Sequence, residues 1–130
     1  MGLKVLIIDD DPLMHLLYQK HIEKAGYAVL AAHGAEEGLT IAKAERPALI
    51  IIDVVLQDKD GLAILRDLKA DDATKGIPTI IFTASIDQTL HATRKESAVA
   101  GAASFLTKPI GPGHLVSEIR RLAPLPPPSR

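Results

Sequence analysis

Apolar residues in this chain fall into five short runs separated by longer mixed segments, and this alternation predicts the fold. The runs are mostly aliphatic and rich in β-branched residues, which is typical of strands buried on both faces of a sheet. They cover Leu3–Ile8, Tyr27–Ala31, Ala48–Asp53, Pro78–Phe82 and Ala103–Leu106. Five β-α repeats with short loops predict an α/β fold, in which right-handed crossovers place helices on both faces of a parallel sheet.

The first intervening segment carries strong helix signals. Asp11 suits the N-cap position, Pro12 suits the first helical position, and Gly26 ends the segment. Residues at helical spacing predict an inward apolar stripe of Met14, Leu17, Tyr18, His21, Ile22 and Ala25. The remaining predicted helices span Ala35–Glu45, Asp60–Ala70, Asp87–Val99 and Pro112–Leu122. The last of them starts in Gly111-Pro112-Gly113, which offers no side chain to cap it.

Composition narrows the class of protein. The chain has 130 residues, enough for one domain, and its core must be aliphatic because it contains only two Phe and two Tyr. Fifteen basic residues against sixteen acidic ones create no field for nucleic acid or an anionic membrane. The lack of cysteine and of a long apolar stretch predicts a cytoplasmic protein. The Pro-rich residues 124–130 are expected to form an extended tail or the stump of a linker after a domain at 1–123.

Polar residues stand where the predicted strands end. Asp9 and Asp10 follow the first strand, Asp53 ends the third, Thr83 follows the fourth, and Lys108 follows the fifth. The carboxyl ends of parallel strands meet at one edge of the sheet, so these side chains are expected to lie close together. A buried carboxylate costs several kcal/mol without a charged or metal partner, so we expect such a partner there.

These motifs, in this order, resemble the receiver domain of two-component response regulators from Leu3 to about Leu122. They read Val5-Leu6-Ile7-Ile8-Asp9-Asp10-Asp11-Pro12, Asp53 with Asp60-Gly61, Ile80-Ile81-Phe82-Thr83-Ala84, and Phe105-Leu106-Thr107-Lys108-Pro109. The resemblance implies a flavodoxin-like, doubly wound sheet of five parallel strands in the order 2-1-3-4-5, flanked by five helices. It also implies a cis Lys108-Pro109 peptide. Asp11 is interpreted as a helix cap only.

The resemblance also implies residue roles. Asp53 would accept a phosphoryl group from the phosphohistidine of a histidine kinase or a histidine phosphotransfer protein. Mg²⁺ would be held by Asp9, Asp10, Asp53 and the backbone carbonyl of Val55, which are hard oxygen ligands. Thr83 and Lys108 would contact the phosphoryl oxygens. The domain would be a signalling switch rather than an enzyme with a separate substrate, catalysing only its own phosphorylation and slow dephosphorylation.

Two further expectations concern signalling. Phosphorylation would draw the Thr83 hydroxyl inward and open space for Phe105, which would carry the change to the surface around the fourth helix. Val55 and Ser85 would flank the hydrolytic water, and neither side chain can activate it. An apolar rim for the kinase or phosphotransfer partner is expected beside the acidic cluster, formed by Leu13, Met14, Leu17, Pro109 and Ile110.

Three other functions fit the sequence less well. A haloacid-dehalogenase-type phosphatase would need an aspartate where this chain has Val55, together with a larger body. A nucleotide or flavin module would need a phosphate loop rich in Gly, Ser or Thr, but the first turn here is acidic. A degenerate interaction domain would not need a complete set of acceptor, metal and lysine positions. The chain departs from the family pattern at Gln57-Asp58, where Pro-Gly is common, and in its longer Thr83–Gly101 segment.

Overall fold

A computed structural model describes residues 3–84 and 90–127 of the chain. In this part of the chain, five parallel strands form one sheet in the order β2-β1-β3-β4-β5, which confirms the predicted topology. The strands are β1 Lys4–Ile8, β2 Ala28–Ala32, β3 Leu49–Ile52, β4 Thr79–Ala84 and β5 Ser104–Lys108. Strands β4 and β5 run two residues further than predicted, so Thr83 and Lys108 belong to the strands themselves.

Five helices flank the sheet. They are α1 Pro12–Lys24, α2 Ala35–Glu45, α3 Gly61–Ala70, α4 Leu90–Val99 and α5 Pro112–Leu122. The bounds of α2 and α5 coincide with the predicted ones, and Asp11 caps α1 by accepting a hydrogen bond from the Leu13 N–H at 3.0 Å. The predicted start of the fourth helix, Asp87, lies outside the described residues. None of the described helices is both long and apolar enough to span a membrane.

The core lies on both faces of the sheet and is almost entirely aliphatic. Along β1, Val5 and Ile7 pack into a cluster beneath α1 and α5, whereas Leu6 and Ile8 pack into a second cluster beneath α2 and α3. All four side chains are fully buried. Because alternate residues of a strand point to opposite faces, this double burial explains why the strands read as continuous apolar runs.

The predicted inward stripe of α1 was partly wrong. Leu17 is 54% exposed and His21 is also exposed, whereas His15 is buried. The buried residues Met14, Tyr18 and Ile22 recur every four positions, and this face passes through His15 rather than Leu17. Met14 is only 4% exposed, so it packs in the core and does not belong to an exposed apolar rim for a partner.

We call the residues that precede the strands and follow the helices the amino edge of the sheet. The C-terminal segment of the chain packs against this edge. The Tyr27 hydroxyl donates to the Ala123 carbonyl at 2.7 Å, and Leu125 packs against the cluster beneath α1 and α5. Gly26 has φ +109°, and a Cβ there would come within 2.8 Å of the Leu125 side chain. The first part of the Pro-rich segment therefore packs on the domain.

Candidate functional site

Three carboxylates meet at the carboxyl edge of the sheet. Asp9 directly follows β1 and Asp53 directly follows β3, and the register pairs Ile8 with Ile52, so the two aspartates are neighbours. Together with Asp10 they offer carboxylate oxygens that all lie within 4.8 Å of one another. The strands thus bring together the acidic residues that the sequence predicts at this edge. This acidic cluster, Asp9, Asp10 and Asp53, is the centre of the candidate site.

Lys108, the last residue of β5, reaches into the acidic cluster. Its Nζ lies 2.6 Å from Asp9 Oδ2 and 3.2 Å from Asp53 Oδ2. Burial lowers the pKa of the Lys108 ammonium, but its hydrogen bond to Asp9 and the charges of Asp53 and Asp9 outweigh this and raise the pKa above its ordinary value. The lysine therefore stays charged and partly balances the three carboxylates.

Asp9 is the most buried carboxylate of the cluster, with 1% of its surface exposed. Burial raises the pKa of this carboxyl above its ordinary value, although the bond from Lys108 and the Asp11 N–H bond to Oδ1 at 2.9 Å both lower it. The raised pKa indicates that the charge of Asp9 is incompletely compensated. A further positive charge nearby would stabilise the ionised form of such a carboxyl.

Thr83 lies on the other side of Asp53. The residue is 5% exposed, and its hydroxyl donates to Asp53 Oδ1 at 2.9 Å. The β4 strand continues to Ala84 and already aims Thr83 at the acceptor in this unphosphorylated state, and the inward movement on phosphorylation stays a prediction. Phe105 is half-buried against the cluster beneath α2 and α3, and the Arg94 guanidinium lies 4.7 Å from its ring centre.

The loop between Asp53 and Gly61, which we call the acceptor loop, supplies backbone donors to the acidic cluster. The Val55 N–H donates to Asp53 Oδ1 at 3.1 Å, and the Gln57 N–H donates to Asp10 Oδ2 at 3.0 Å. The loop closes tightly, since a Cβ at Gly61 would lie 2.0 Å from the Asp53 carbonyl oxygen. Glycine is therefore required where the acceptor loop passes over the end of β3.

Two residues near the site were not predicted to contribute to it. His15 lies inside α1 and its Nε2–H donates to the Asp9 carbonyl at 2.8 Å, while its buried Nδ1 has no hydrogen-bond partner among the described residues. Asp58 accepts hydrogen bonds from the start of α2, as described below. The Asp58 contact joins segments 23 residues apart, and the His15 contact reaches back from α1 to the end of β1, so neither follows from helical spacing.

The predicted partner rim is only partly present. Leu13 is 57% exposed and Leu17 is 54% exposed, and Pro109 is also exposed. Ile110 is half-buried and packs on the core, and its carbonyl accepts a bond from the Tyr18 hydroxyl at 2.9 Å. The Lys108-Pro109 peptide is cis, as the resemblance implied. Ser85 lies outside the described residues.

The donor set of the acidic cluster fits a small divalent cation. It consists of carboxylate oxygens from two adjacent strand ends, and hard oxygen ligands of this kind suit Mg²⁺. Three carboxylates roughly 5 Å apart repel by about 3 kcal/mol per pair at an effective dielectric near 20. Because one lysine cannot balance that repulsion, the cluster could hold a divalent cation beside Lys108.

Comparisons with known proteins identify the family of the chain. The family model for the response regulator receiver domain matches residues 5–120. Protein PilH of Pseudomonas aeruginosa is 32% identical over 116 residues, which cover 89% of this chain and 93% of PilH. The alkaline phosphatase synthesis transcriptional regulatory protein PhoP of Bacillus subtilis is 31% identical over 122 residues, which cover 94% of this chain and 49% of PhoP.

Solved structures give the same result. The chemotaxis response regulator CheY4 of Vibrio cholerae superimposes with a TM-score of 0.85 at 25% identity, covering 94% of this chain and 99% of CheY4. A putative response regulator from Chloroflexus aurantiacus reaches a TM-score of 0.86 at 28% identity, covering 95% of this chain and 98% of that one. The chain therefore belongs to the receiver domain family of response regulators, the signalling switches of two-component systems.

Proposed function

We propose that Asp53 accepts a phosphoryl group from a phosphohistidine, in a Mg²⁺-dependent reaction, and that this modification switches the domain. One observation supports the choice of Asp53 over its neighbours. It is the carboxylate that contacts both Lys108, at 3.2 Å, and the Thr83 hydroxyl, at 2.9 Å. Asp9 is nearly inaccessible at 1% exposure, whereas the Asp53 side chain is 12% exposed. An incoming phosphoryl group can therefore meet Asp53 between a cation and a hydroxyl donor.

The transfer would form a bond from an Asp53 carboxylate oxygen to phosphorus while the phosphorus–nitrogen bond of the donor breaks. The electron pair of that bond stays on the imidazole nitrogen of the partner. Lys108 would stabilise the charge on the equatorial phosphoryl oxygens as a point charge, and Thr83 would donate its hydroxyl to one of them. Asp9, Asp10, Asp53 and the Val55 carbonyl would hold Mg²⁺, which supplies the positive charge that this transfer requires.

The switch would follow from an exchange of hydrogen-bond acceptors. Phosphorylation adds negative charge and acceptor oxygens beside Thr83, whose hydroxyl now bonds to the Asp53 carboxylate. Thr83 pairs with Thr107 in the sheet, and Phe105 lies two residues earlier on the same face of β5. A shift of Thr83 toward a phosphoryl oxygen would change the packing around Phe105 and Arg94, and so reach α4.

The donor would be a histidine kinase or a histidine phosphotransfer protein that docks beside the acidic cluster. Leu13 and Leu17 on α1 and Pro109 after β5 are exposed there, which suits a transient apolar interface. We place the functional unit at residues 1–123 and its location in the cytoplasm, where a cysteine-free domain of this kind is expected. Val55 and Ser85, the two positions that the resemblance assigns to flank the hydrolytic water, cannot activate it and would leave the phosphorylated form slow to hydrolyse.

Phosphorylation with a small acyl phosphate tests this function without a partner. In the presence of Mg²⁺, the wild-type protein is expected to gain one phosphoryl group by intact-mass spectrometry, and Asp53→Asn is expected to gain none. Asp72→Asn is the matched control, because Asp72 is 92% exposed and lies at the far end of α3. Incorporation that persists in Asp53→Asn would place the acceptor elsewhere and refute the assignment.

A further inference from the structure

The acceptor loop is held by polar contacts to three other parts of the domain. The Gln57 N–H bonds to Asp10, as described above. The Lys59 Nζ lies 2.7 Å from Asp67 Oδ2 on α3, in a pair whose side chains are 36% and 48% exposed. Asp58, between them, reaches across to the start of α2. These three contacts do not restrain the loop equally. The Lys59–Asp67 pair contributes little restraint, because it is an exposed ion pair between flexible side chains.

Asp58 makes the stiffest of these contacts. Its Oδ1 and Oδ2 accept from the Ala35 N–H at 2.9 and 3.0 Å, and its Oδ2 accepts from the Glu36 N–H at 3.3 Å. These bonds lower the pKa of the Asp58 carboxyl, chiefly through the Ala35 N–H. The donors belong to the backbone of a helix, so their positions are fixed on the scaffold.

The N-terminus of α2 has no local side-chain cap and leaves room for the Asp58 carboxylate. Its N-cap residue is Gly34, which has no side chain with which to cap the helix. A Cβ at Gly34 would lie 3.2 Å from Asp58 Oδ2, so the glycine also leaves room for the carboxylate. Asp58 thus does for α2, from 23 residues along the chain, what an N-cap side chain does locally.

We propose that Asp58 is a positioning residue for the metal-binding carboxylates. By anchoring the acceptor loop to α2, Asp58 keeps the Gln57 N–H aimed at Asp10 and the Val55 N–H aimed at Asp53. The inference rests on the proposed function, in which these two carboxylates hold Mg²⁺. Hydrogen-bond partners behind metal ligands affect metal affinity by orienting the ligands, even though they do not touch the ion.

Two readouts test the proposal without phosphorylation. In Asp58→Ala, amide hydrogen exchange of Gln57 in the metal-free protein is expected to accelerate, because the loop loses its anchor. The Mg²⁺ dissociation constant, from amide chemical shifts, is expected to rise about three- to tenfold, less than the effect of deleting a group that bonds directly to a metal ligand. Asp71→Ala is the matched control, because Asp71 also accepts a backbone bond, from the Ala73 N–H at 2.8 Å, but after α3 at the opposite edge.

Two further variants separate positioning from general stability. Asp58→Asn keeps an oxygen that can accept from Ala35 and is expected to recover most of the Mg²⁺ affinity. In a Gln57→Pro background, which removes the N–H that contacts Asp10, Asp58→Ala is expected to cause a smaller further loss than in the wild type.

Equal loss of affinity in Asp58→Ala and Asp71→Ala would overturn the proposal, as would wild-type affinity in Asp58→Ala. A protein that fails to be phosphorylated on Asp53, yet shows these effects on exchange and Mg²⁺ binding, would contradict the proposed function but leave the positioning role of Asp58 intact.

Discussion

The two edges of the sheet are held together by different kinds of contact. At the amino edge, buried hydroxyl groups donate to main-chain carbonyls, as Tyr27 does to Ala123 and Thr74 does to Leu68, both at 2.7 Å, and the charged contact of Arg121 with Glu118 is more exposed. At the carboxyl edge, charged side chains contact one another, and the shortest of these contacts joins Lys108 and Asp9 at 2.6 Å. Both edges are built on the same strands and share the same aliphatic core.

This difference separates folding from function. A hydroxyl bonded to a neutral carbonyl has the same partners whether or not a ligand is bound elsewhere. The acidic cluster contains three carboxylates and contacts one lysine, so its negative charge is not balanced. Its contribution to stability therefore changes when a cation binds there. We therefore expect substitutions at the carboxyl edge to change stability and ion binding together, and substitutions at the amino edge to change stability alone.

The largest effect is expected from Lys108→Met at the carboxyl edge. It leaves the buried Asp9 carboxylate without its cation, so the free energy of unfolding in urea, without Mg²⁺ at neutral pH, should fall by about 2–3 kcal/mol. The same variant should bind Mg²⁺ more tightly, because a competing positive charge is gone. Lys75→Met, at an exposed lysine, is the control.

The pH dependence of this loss has a definite sign. Burial raises the pKa of Asp9 in the folded state, so its contribution favours folding most at low pH and declines as pH rises through that raised pKa. Without the Lys108 bond, which lowers the pKa of Asp9, that pKa rises further and the decline extends to higher pH. Lys108→Met should therefore lose more stability at neutral pH than at mildly acidic pH.

An unchanged Mg²⁺ affinity in Lys108→Met would show that Lys108 and the cation do not compete.

A smaller effect is expected from Tyr27→Phe at the amino edge. The ring stays packed, but the buried Ala123 carbonyl loses its donor, which should cost about 1 kcal/mol of unfolding free energy. The Mg²⁺ dissociation constant should stay at the wild-type value, measured on the same sample. A change in metal affinity here would mean that the two edges are energetically coupled and that the separation drawn above does not hold.

The same distinction explains what could be predicted from the sequence. Strand ends in a parallel sheet share an edge whatever surrounds them, so the meeting of Asp9, Asp53, Thr83 and Lys108 followed from the order of apolar runs and polar residues. The bond from the Ala35 N–H to Asp58 joins the start of α2 to the acceptor loop, and its existence depends on how the loop runs past that helix. No local spacing carries that information.

The buried face of α1 was predicted incorrectly for a different reason. Leu13, Leu16 and Leu17 are more than half exposed, so hydrophobicity alone did not mark the buried face. His15 is buried because its ring can bond to the Asp9 carbonyl at the end of β1, a contact that replaces water. Where a helix has apolar residues on several sides, tertiary hydrogen bonds decide which side faces the core.

The smallest effect is expected from Glu118→Gln, which tests a charged contact at the amino edge. The Glu118 carboxylate accepts bonds from Arg121 and from the hydroxyl of Ser104, the first residue of β5, and these bonds lower its pKa from 4.5 to about 2. A carboxyl with a lowered folded-state pKa contributes its full stability above pH 4.5 and loses it as pH falls toward about 2.

Glutamine keeps the shape of Glu118 but not its charge. The variant should therefore be less stable than the wild type at neutral pH, by about 0.5 kcal/mol because Arg121 is largely exposed, and the difference should vanish near pH 2. Urea unfolding at several pH values measures both quantities. A difference that does not change with pH would show that this contact acts through packing. A change in Mg²⁺ affinity at neutral pH would show that charge at the amino edge reaches the acidic cluster, since Ser104 and Lys108 are the two ends of β5.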